Sequence, residues 1–373
     1  MRRSPETGFL LSGTIVRFIL TAILAAAYAM TYVMFLKDAN LADNYSEITK
    51  IIALFLSGAC SYIPFTVAEV VIILIATAFI IYLVAVIFKM ITHGAIISRI
   101  VRIISNIAVF TAFGMFLFMA TFGANYFCNT VASKMDLDVR PSSVEELKTV
   151  TAEMLAKANE YSEYVPRDAN GYTSYGNFST MADRTVGGFQ ELSEQYSFLG
   201  SSYAPAKPLN AWKLMSRFGI AGIYIPFTGE AIVNPDTPAP GIMFHMAHEM
   251  AHRLGVAPED EANFIAYLAC RENPDRRAKY SAYFMAYRYC INALASADRA
   301  AANEISAQVG DKLRTDLIQL NENIEKYEGP VRDAGEKIND TYLKSLSQTE
   351  GTKSYGMMVD LLIAEYYDSL ENE

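Results

Sequence analysis

Three long runs of apolar residues fall within the first third of this 373-residue chain. They lie at about Phe18–Leu36, Phe65–Met90 and Ile103–Ala124, and the only acid within them is Glu69, near the start of the second. A helix needs about 20 apolar residues to cross a bilayer, so each run is long enough. Soluble folds seldom carry three charge-poor runs of this length. A fourth run, Ile51–Ile63, contains Gly58 and stops at Pro64. It is too short to span and reads as an interfacial or re-entrant piece. Arg2 and Arg3 would suit a signal peptide, but the first run is too long and no clear small-residue cleavage site follows it. It reads as a retained span.

Charge divides the chain at the same place. Residues 1–128 hold eight Lys/Arg and five Asp/Glu, a net of +3, and the remainder is left with −12 of the total −9. Arg2, Arg3 and Arg17 precede the first run, and Lys89, Arg99 and Arg102 lie between the second and third. Basic residues collect on the cytoplasmic side. Three spans with a cytoplasmic N-terminus satisfy both groups, with the loop 37–64 and everything after Ala124 outside the cytoplasm. The expected organisation is a membrane domain of three helices over 1–128 and an extracytoplasmic domain over 129–373. A net-acidic chain does not draw phosphate by its mean field, so nucleic acid is not an expected partner. The lipid bilayer is one. Oligomeric state has no signature in the sequence.

Gly 21, Pro 13 and Cys 4 exclude collagen-like, disordered and disulfide-scaffold classes. Cys60, Cys128, Cys270 and Cys290 form no CxxC pair. Cys270 and Cys290 fall on successive helices, where they either pair or pack as small buried residues.

Ser142 and Ser143 before Glu145 and Glu146 make overlapping capping boxes that start a helix running to about Tyr164. Residues 166–177 form a loop by composition, and a helix follows from Met181 to Tyr196. The strand signal is Gly219–Phe227, with a partner at Ala231–Asn234. Pro226 places that strand at an edge or ends it. Helical patterns then run over about 241–254, 259–271, 274–308, 310–328, 331–346 and 355–370. The domain is mainly α with a small, edge-stranded sheet.

Residues 248–252 read His-Glu-Met-Ala-His. Histidines four apart project from one helix face, so both imidazoles reach one metal ion, and neutral imidazole is a good ligand for Zn2+. Glu249 is placed to take a proton from water at the open coordination position. A catalytic zinc site needs a third protein ligand. Downstream of Gly255 and Pro258, Glu259 shares a small, polar helix face with Ala262, Asn263 and Ala266, whereas Glu261 points along the greasy face of Phe264, Ile265 and Leu268. Glu259 is the preferred third ligand and Glu261 the alternative, with Asn263 placed to orient a ligand. His245 lies near the same face, as a supporting residue or a helix-start residue. Tyr342 and Tyr355 are candidates to stabilise an oxyanion.

The His-Glu-x-x-His helix followed by Glu-x-x-Ala-Asn resembles the gluzincin metallopeptidases. That resemblance implies zinc ligands at His248, His252 and Glu259 and a general base at Glu249. Asn263 stands where those enzymes usually carry an acid, and the gap from His252 to Glu259 is shorter than in most of them. Gly255 is similar to a metzincin feature, but Pro258 occupies the third-histidine position of that group. More of the chain resembles a bacterial membrane-protein family known only as a domain of unknown function, with N-terminal spans and a zincin motif. The matching stretches are GANY (123–126), IPFTGEA (225–231), HEMAHRLG with EDEANFIAYLAC (248–270) and YLKSLSQTEGTKSYG (342–356). The resemblance implies a zincin-like α+β domain on a multi-pass anchor in a bacterial cell membrane. The expected function is zinc-dependent hydrolysis of peptide bonds in a peptide or protein substrate through activated water. The alternative is a non-catalytic zinc-binding membrane sensor or scaffold. Transport has only Glu69, inside a span, to recommend it.

Overall fold

A computed structural model of the chain describes residues 5–200, 204–345 and 355–371. It is mostly helical, with one small sheet, and forms two compact units. One comprises Met1–Thr49 and Val67–Cys128, the other Lys50–Thr66 and Asn129–Glu373.

The first unit is built from α1 (Pro5–Lys37), the first part of α2 (Ala39–Ser61), α3 (Val67–His93) and α4 (Ile96–Thr121). Three segments, Gly13–Lys37, Val67–His93 and Ile96–Thr121, are long and apolar enough to cross a membrane. The third begins earlier than the apolar run at Ile103 indicates. Only Gly94 and Ala95 separate α3 from α4, and both have positive φ, 63° and 52°. Arg99 Nε donates to Gly94 O at 3.1 Å. Lys89, Arg99 and Arg102 therefore cluster around this hairpin, with long aliphatic stems that let charged heads on a helix end reach polar surroundings. The GANY stretch forms a buried 3-10 turn, Gly123–Phe127. Thr49 Oγ1 lies 3.1 Å from the Asn125 side-chain amide, and Tyr32 packs edge-on against Phe127.

The second unit opens with the short α5 (Val131–Lys134), α6 (Val144–Ser162) and α7 (Phe178–Gln195). The capping box at the start of α6 uses Ser143 and Glu146. A three-stranded sheet interleaves with α8 (Trp212–Arg217): β1 (Lys207–Pro208), β2 (Gly222–Ile225) and β3 (Glu230–Val233). The strand order is β1-β3-β2, with β1 parallel and β2 antiparallel to β3, so β2 is an edge strand. It is shorter than its apolar pattern, because Gly219 turns the chain at φ 71° before it and Pro226 follows it.

The helices α9 (Ala239–Arg253) and α10 (Glu259–Glu272) form the centre, flanked by α7 and α11 (Arg276–Ala297). Gly188 on α7 lies so close to the Ala269 backbone that a Cβ has no room there. The continuous pattern 274–308 is broken into α11 and α12 (Arg299–Ser306) at Asp298. Its backbone is extended, and its carboxylate accepts from Ala300 N and Ala301 N at 2.9 and 3.0 Å, an N-cap. The rest is α13 (Asp311–Glu325), α14 (Pro330–Ser345) and α15 (Tyr355–Glu371). Cys270 and Cys290 are buried free thiols, and both pack as small core residues.

Most of the run Ile51–Ile63 forms the second half of α2, which ends at Ser61, and packs within this unit. Lys50 Nζ donates to Phe198 O at 2.6 Å, and Thr66 Oγ1 donates to Pro208 O at 2.8 Å.

Candidate metal centre

Pro238 precedes α9 and Pro240 lies in its first turn, where a missing N–H costs nothing. Two turns later the helix presents His248, Glu249 and His252, all buried. Gly255, at φ 91°, ends the helix in a left-handed turn that only glycine adopts freely. That turn brings Val256 O within 2.8 Å of His252 Nδ1. The contact sets a proton on Nδ1 and leaves Nε2 as the lone-pair nitrogen. Pro258 then caps α10, whose first residue is Glu259.

The side chains of these two helices meet. His248 Nε2 lies 3.1 Å from His252 Nε2 and 3.1 Å from Glu259 Oε2, and His252 Nε2 lies 3.7 Å from Glu259 Oε1. Four ligands arranged tetrahedrally about 2.0–2.1 Å from a zinc ion stand about 3.3 Å apart, so these separations fit a metal with one position left open. Among the described residues this is the one group of three His, Cys, Asp or Glu side chains whose ligand atoms converge. Glu261 points elsewhere: its Oε1 accepts from Val131 N at 3.0 Å, tying α10 to the start of α5.

Orphaned atoms behind the histidines bear on the same fit. His248 Nδ1 and Asn263 Nδ2 are both buried without a hydrogen-bond partner. The Asn263 amide faces His248. Turned over, it presents Oδ1 to an Nδ1–H, the tautomer that frees Nε2 to bind a metal. Tyr289 on α11 places its hydroxyl 3.4 Å from Asn263 Oδ1 and packs on Phe244. Nothing in the sequence singled Tyr289 out from 23 tyrosines.

Electrostatics follow from this burial. Desolvation raises the Glu249 carboxyl to about 8, against the pull of His248 and with the push of Glu259. Burial also works to raise Glu259, but the His248 hydrogen bond and both imidazoles bring it down to about 2. His248 responds in kind: burial lowers it, yet the hydrogen bond and charge of Glu259 leave it above its ordinary value. His252 falls to about 4, through burial and then His248. His248 thus binds its proton more tightly than an ordinary imidazole beside an ionised Glu259, and Glu249 keeps its proton at neutral pH. His245 is half-buried beside Arg288, and burial lowers it to about 3.

The edge strand lies against this group. A Cβ built on Gly222 would collide with Oε1 of Glu249, so the general-base candidate touches the β2 backbone directly. A glycine inside a strand signals such a close approach. Beside it, Tyr224 is buried next to Arg253, the residue after His252, which donates to Ala204 O. The side chain of Tyr342 and that of Tyr355 lie outside the described residues. So does most of the stretch YLKSLSQTEGTKSYG, at 346–354.

A family model described as "Protein of unknown function (DUF3810)" matches residues 45–363, and the chain belongs to that family. No curated protein and no solved structure matches it.

Proposed function

We propose that this member of the family is a membrane-anchored, zinc-dependent peptidase. Its zincin-like domain would face out of the cytoplasm of a bacterial cell, as the distribution of basic residues in the anchor implies. One observation carries the reading: His248, His252 and Glu259 converge from two helices, with the buried carboxyl of Glu249 beside them under an edge strand.

His248, His252 and Glu259 would hold a zinc ion, which would supply Lewis acidity to the scissile carbonyl and to the attacking water. Glu249 accepts a proton from the attacking water as its oxygen bonds the carbonyl carbon. It returns that proton to the amine nitrogen as the C–N bond breaks, and leaves the site ready for another turnover. Asn263 and the Val256 carbonyl hold the two imidazoles in the required tautomer.

Strand β2 supplies a way to hold the substrate. Ala221 O accepts from Asn234 N, and antiparallel pairs alternate, so Ile223 and Ile225 bond across to β3. The backbone groups of Gly222 and Tyr224 then point away from β3, along the outer edge. An extended peptide paired there passes beside Glu249.

The test is hydrolysis of a mixed peptide pool by the full chain in detergent with zinc, wild type against Glu249→Gln. The proposal expects a loss of about 10³-fold in the variant with zinc content unchanged. Equal rates, or no hydrolysis by the wild type, overturn it.

A further inference from the structure

The second half of α2 has two unlike faces. Lys50, Ala53 and Ser57 are buried in the second unit. The turn after β2 sits on this face: Gly229 comes so near that a Cβ there would lie 2.7 Å from Ser57 N. Lys207 Nζ donates to Cys60 O and Phe65 O at 2.7 and 3.0 Å. The opposite face carries Ile51, Phe55 and Tyr62, which are 68%, 75% and 90% exposed. Ile51 and Phe55 are four residues apart on one stripe of the helix, and Tyr62 follows directly after its last residue, Ser61. Phe65, and Phe227 in the turn that rests on α2, are also exposed.

An outward helix face in water is normally charged. Residues 51–66 contain no charged side chain at all, in a unit whose remaining sequence has a net charge of −11. Exposed aromatic and aliphatic groups gathered in one patch mark a contact surface. The chain itself says which contact. Residues 51–66 lie between two segments able to cross a membrane, and the second of these begins at Val67, one residue after Thr66. Tyrosine and phenylalanine on such a stripe suit the boundary between headgroups and acyl chains.

We propose that this face is seated in a lipid bilayer surface, with Ile51, Phe55, Tyr62, Phe65 and Phe227 as the inserted side chains. Phe227 then lies five residues along the chain from Gly222 at Glu249, at most roughly 17 Å away. On the peptidase reading, which this consequence rests on, the substrate is a peptide segment lying close to the membrane surface.

The surface is tested without any activity. The single tryptophan, Trp212, is replaced by Phe, and one Trp is introduced at Phe55, Tyr62 or Phe227, or at Ile318 as an exposed control. The full-length chains are reconstituted in phosphatidylcholine vesicles. Lipids spin-labelled near the headgroup are expected to quench the three surface positions at least twofold and leave position 318 unchanged, and iodide to do the reverse. Carbene labelling of the unsubstituted chain from a photoactivatable lipid is expected to reach 51–66 as well as the three apolar helices. Iodide quenching at 55 and 62, or protection from both quenchers as a protein partner would give, overturns the proposal. The substrate consequence predicts at least tenfold faster cleavage of a lipid-tethered peptide than of the same peptide free. Equal rates overturn that consequence, and a lack of cleavage in both forms defeats the peptidase reading while the quenching result stands.

Discussion

The two units of this chain bury opposite things. In the first, Leu74, Ile81 and Phe88 are more than 60% exposed, while Ser105 and Thr49 are buried. In the second, Phe264, Leu268 and Phe284 are fully buried. Two hydroxyls hidden in the first unit bond to carbonyls of their own helix: Ser105 to Arg102 O, and Thr49 to Ser46 O. That satisfies them with no demand on water. The second unit hides charge instead, and two buried carboxylates there have specific partners. Asp316 accepts from Arg167, Thr173 and Tyr280 in a dry interior, and Glu259 accepts from His248. On the membrane reading of the three apolar helices, one chain meets two solvents. Outward apolar groups are stable where the solvent is lipid, and inward charge persists only where it is paired. Residues 51–66 pack with the second unit yet follow the first unit's rule.

The largest effect that would sharpen this contrast is chemical. His248→Ala leaves two of three ligands, and bound zinc is expected to fall by at least about 10²-fold in affinity, with hydrolysis lost, in a zinc-titration and rate assay. Next comes packing. Leu268→Ala is expected to cost about 2–5 kcal/mol in the thermal unfolding of the full chain, because its cavity opens in a close-packed core. Leu74→Ala, at 62% exposure in α3, is expected to cost under about 1 kcal/mol. Equal costs would break the comparison.

A smaller effect concerns pH. The Glu249 carboxyl binds its proton more tightly folded, at about 8, than its ordinary 4.5 allows. Its contribution to stability is therefore full below pH 4.5 and is lost as pH rises through about 8. Metal-free Glu249→Gln is expected to exceed the metal-free wild type by several kcal/mol at about pH 9, about 1.4 kcal/mol for each unit of the shift, with the gap closing by about pH 4. A gap that widens toward acid would contradict the assignment. The smallest expected effect is at Asn263. Its Ala variant should bind zinc about tenfold more weakly while folding normally, and its Asp variant, which restores an acceptor, should recover most of that loss.

Much of this was legible in the sequence because periodicity and composition are local. The three apolar helices, the capping box at Ser143 and the edge strand ending at Pro226 needed no tertiary information. The His248 and His252 pair was legible for the same reason, since i and i+4 share a face whatever surrounds the helix. The choice between Glu259 and Glu261 was not closed at that level. It turns on where α10 begins and on the Val131 amide that Glu261 meets, 130 residues away in sequence. The break at Asp298 lacked a Gly or Pro to announce it, although an Asp as N-cap is a signal of its own. The strand β1 has only two residues, too few for a period. The seat of residues 51–66 and the contact of Gly222 with Glu249 are long-range packing, which no window of sequence displays.

The central claim is that His248, His252 and Glu259 hold a zinc ion in the folded chain. Elemental analysis of the purified full-length protein, as wild type, His248→Ala and Glu249→Gln, tests it most directly. The account predicts one zinc per chain in the wild type and in Glu249→Gln, and none in His248→Ala. A wild type that neither carries nor takes up zinc, or a His248→Ala variant that keeps it, would contradict the account.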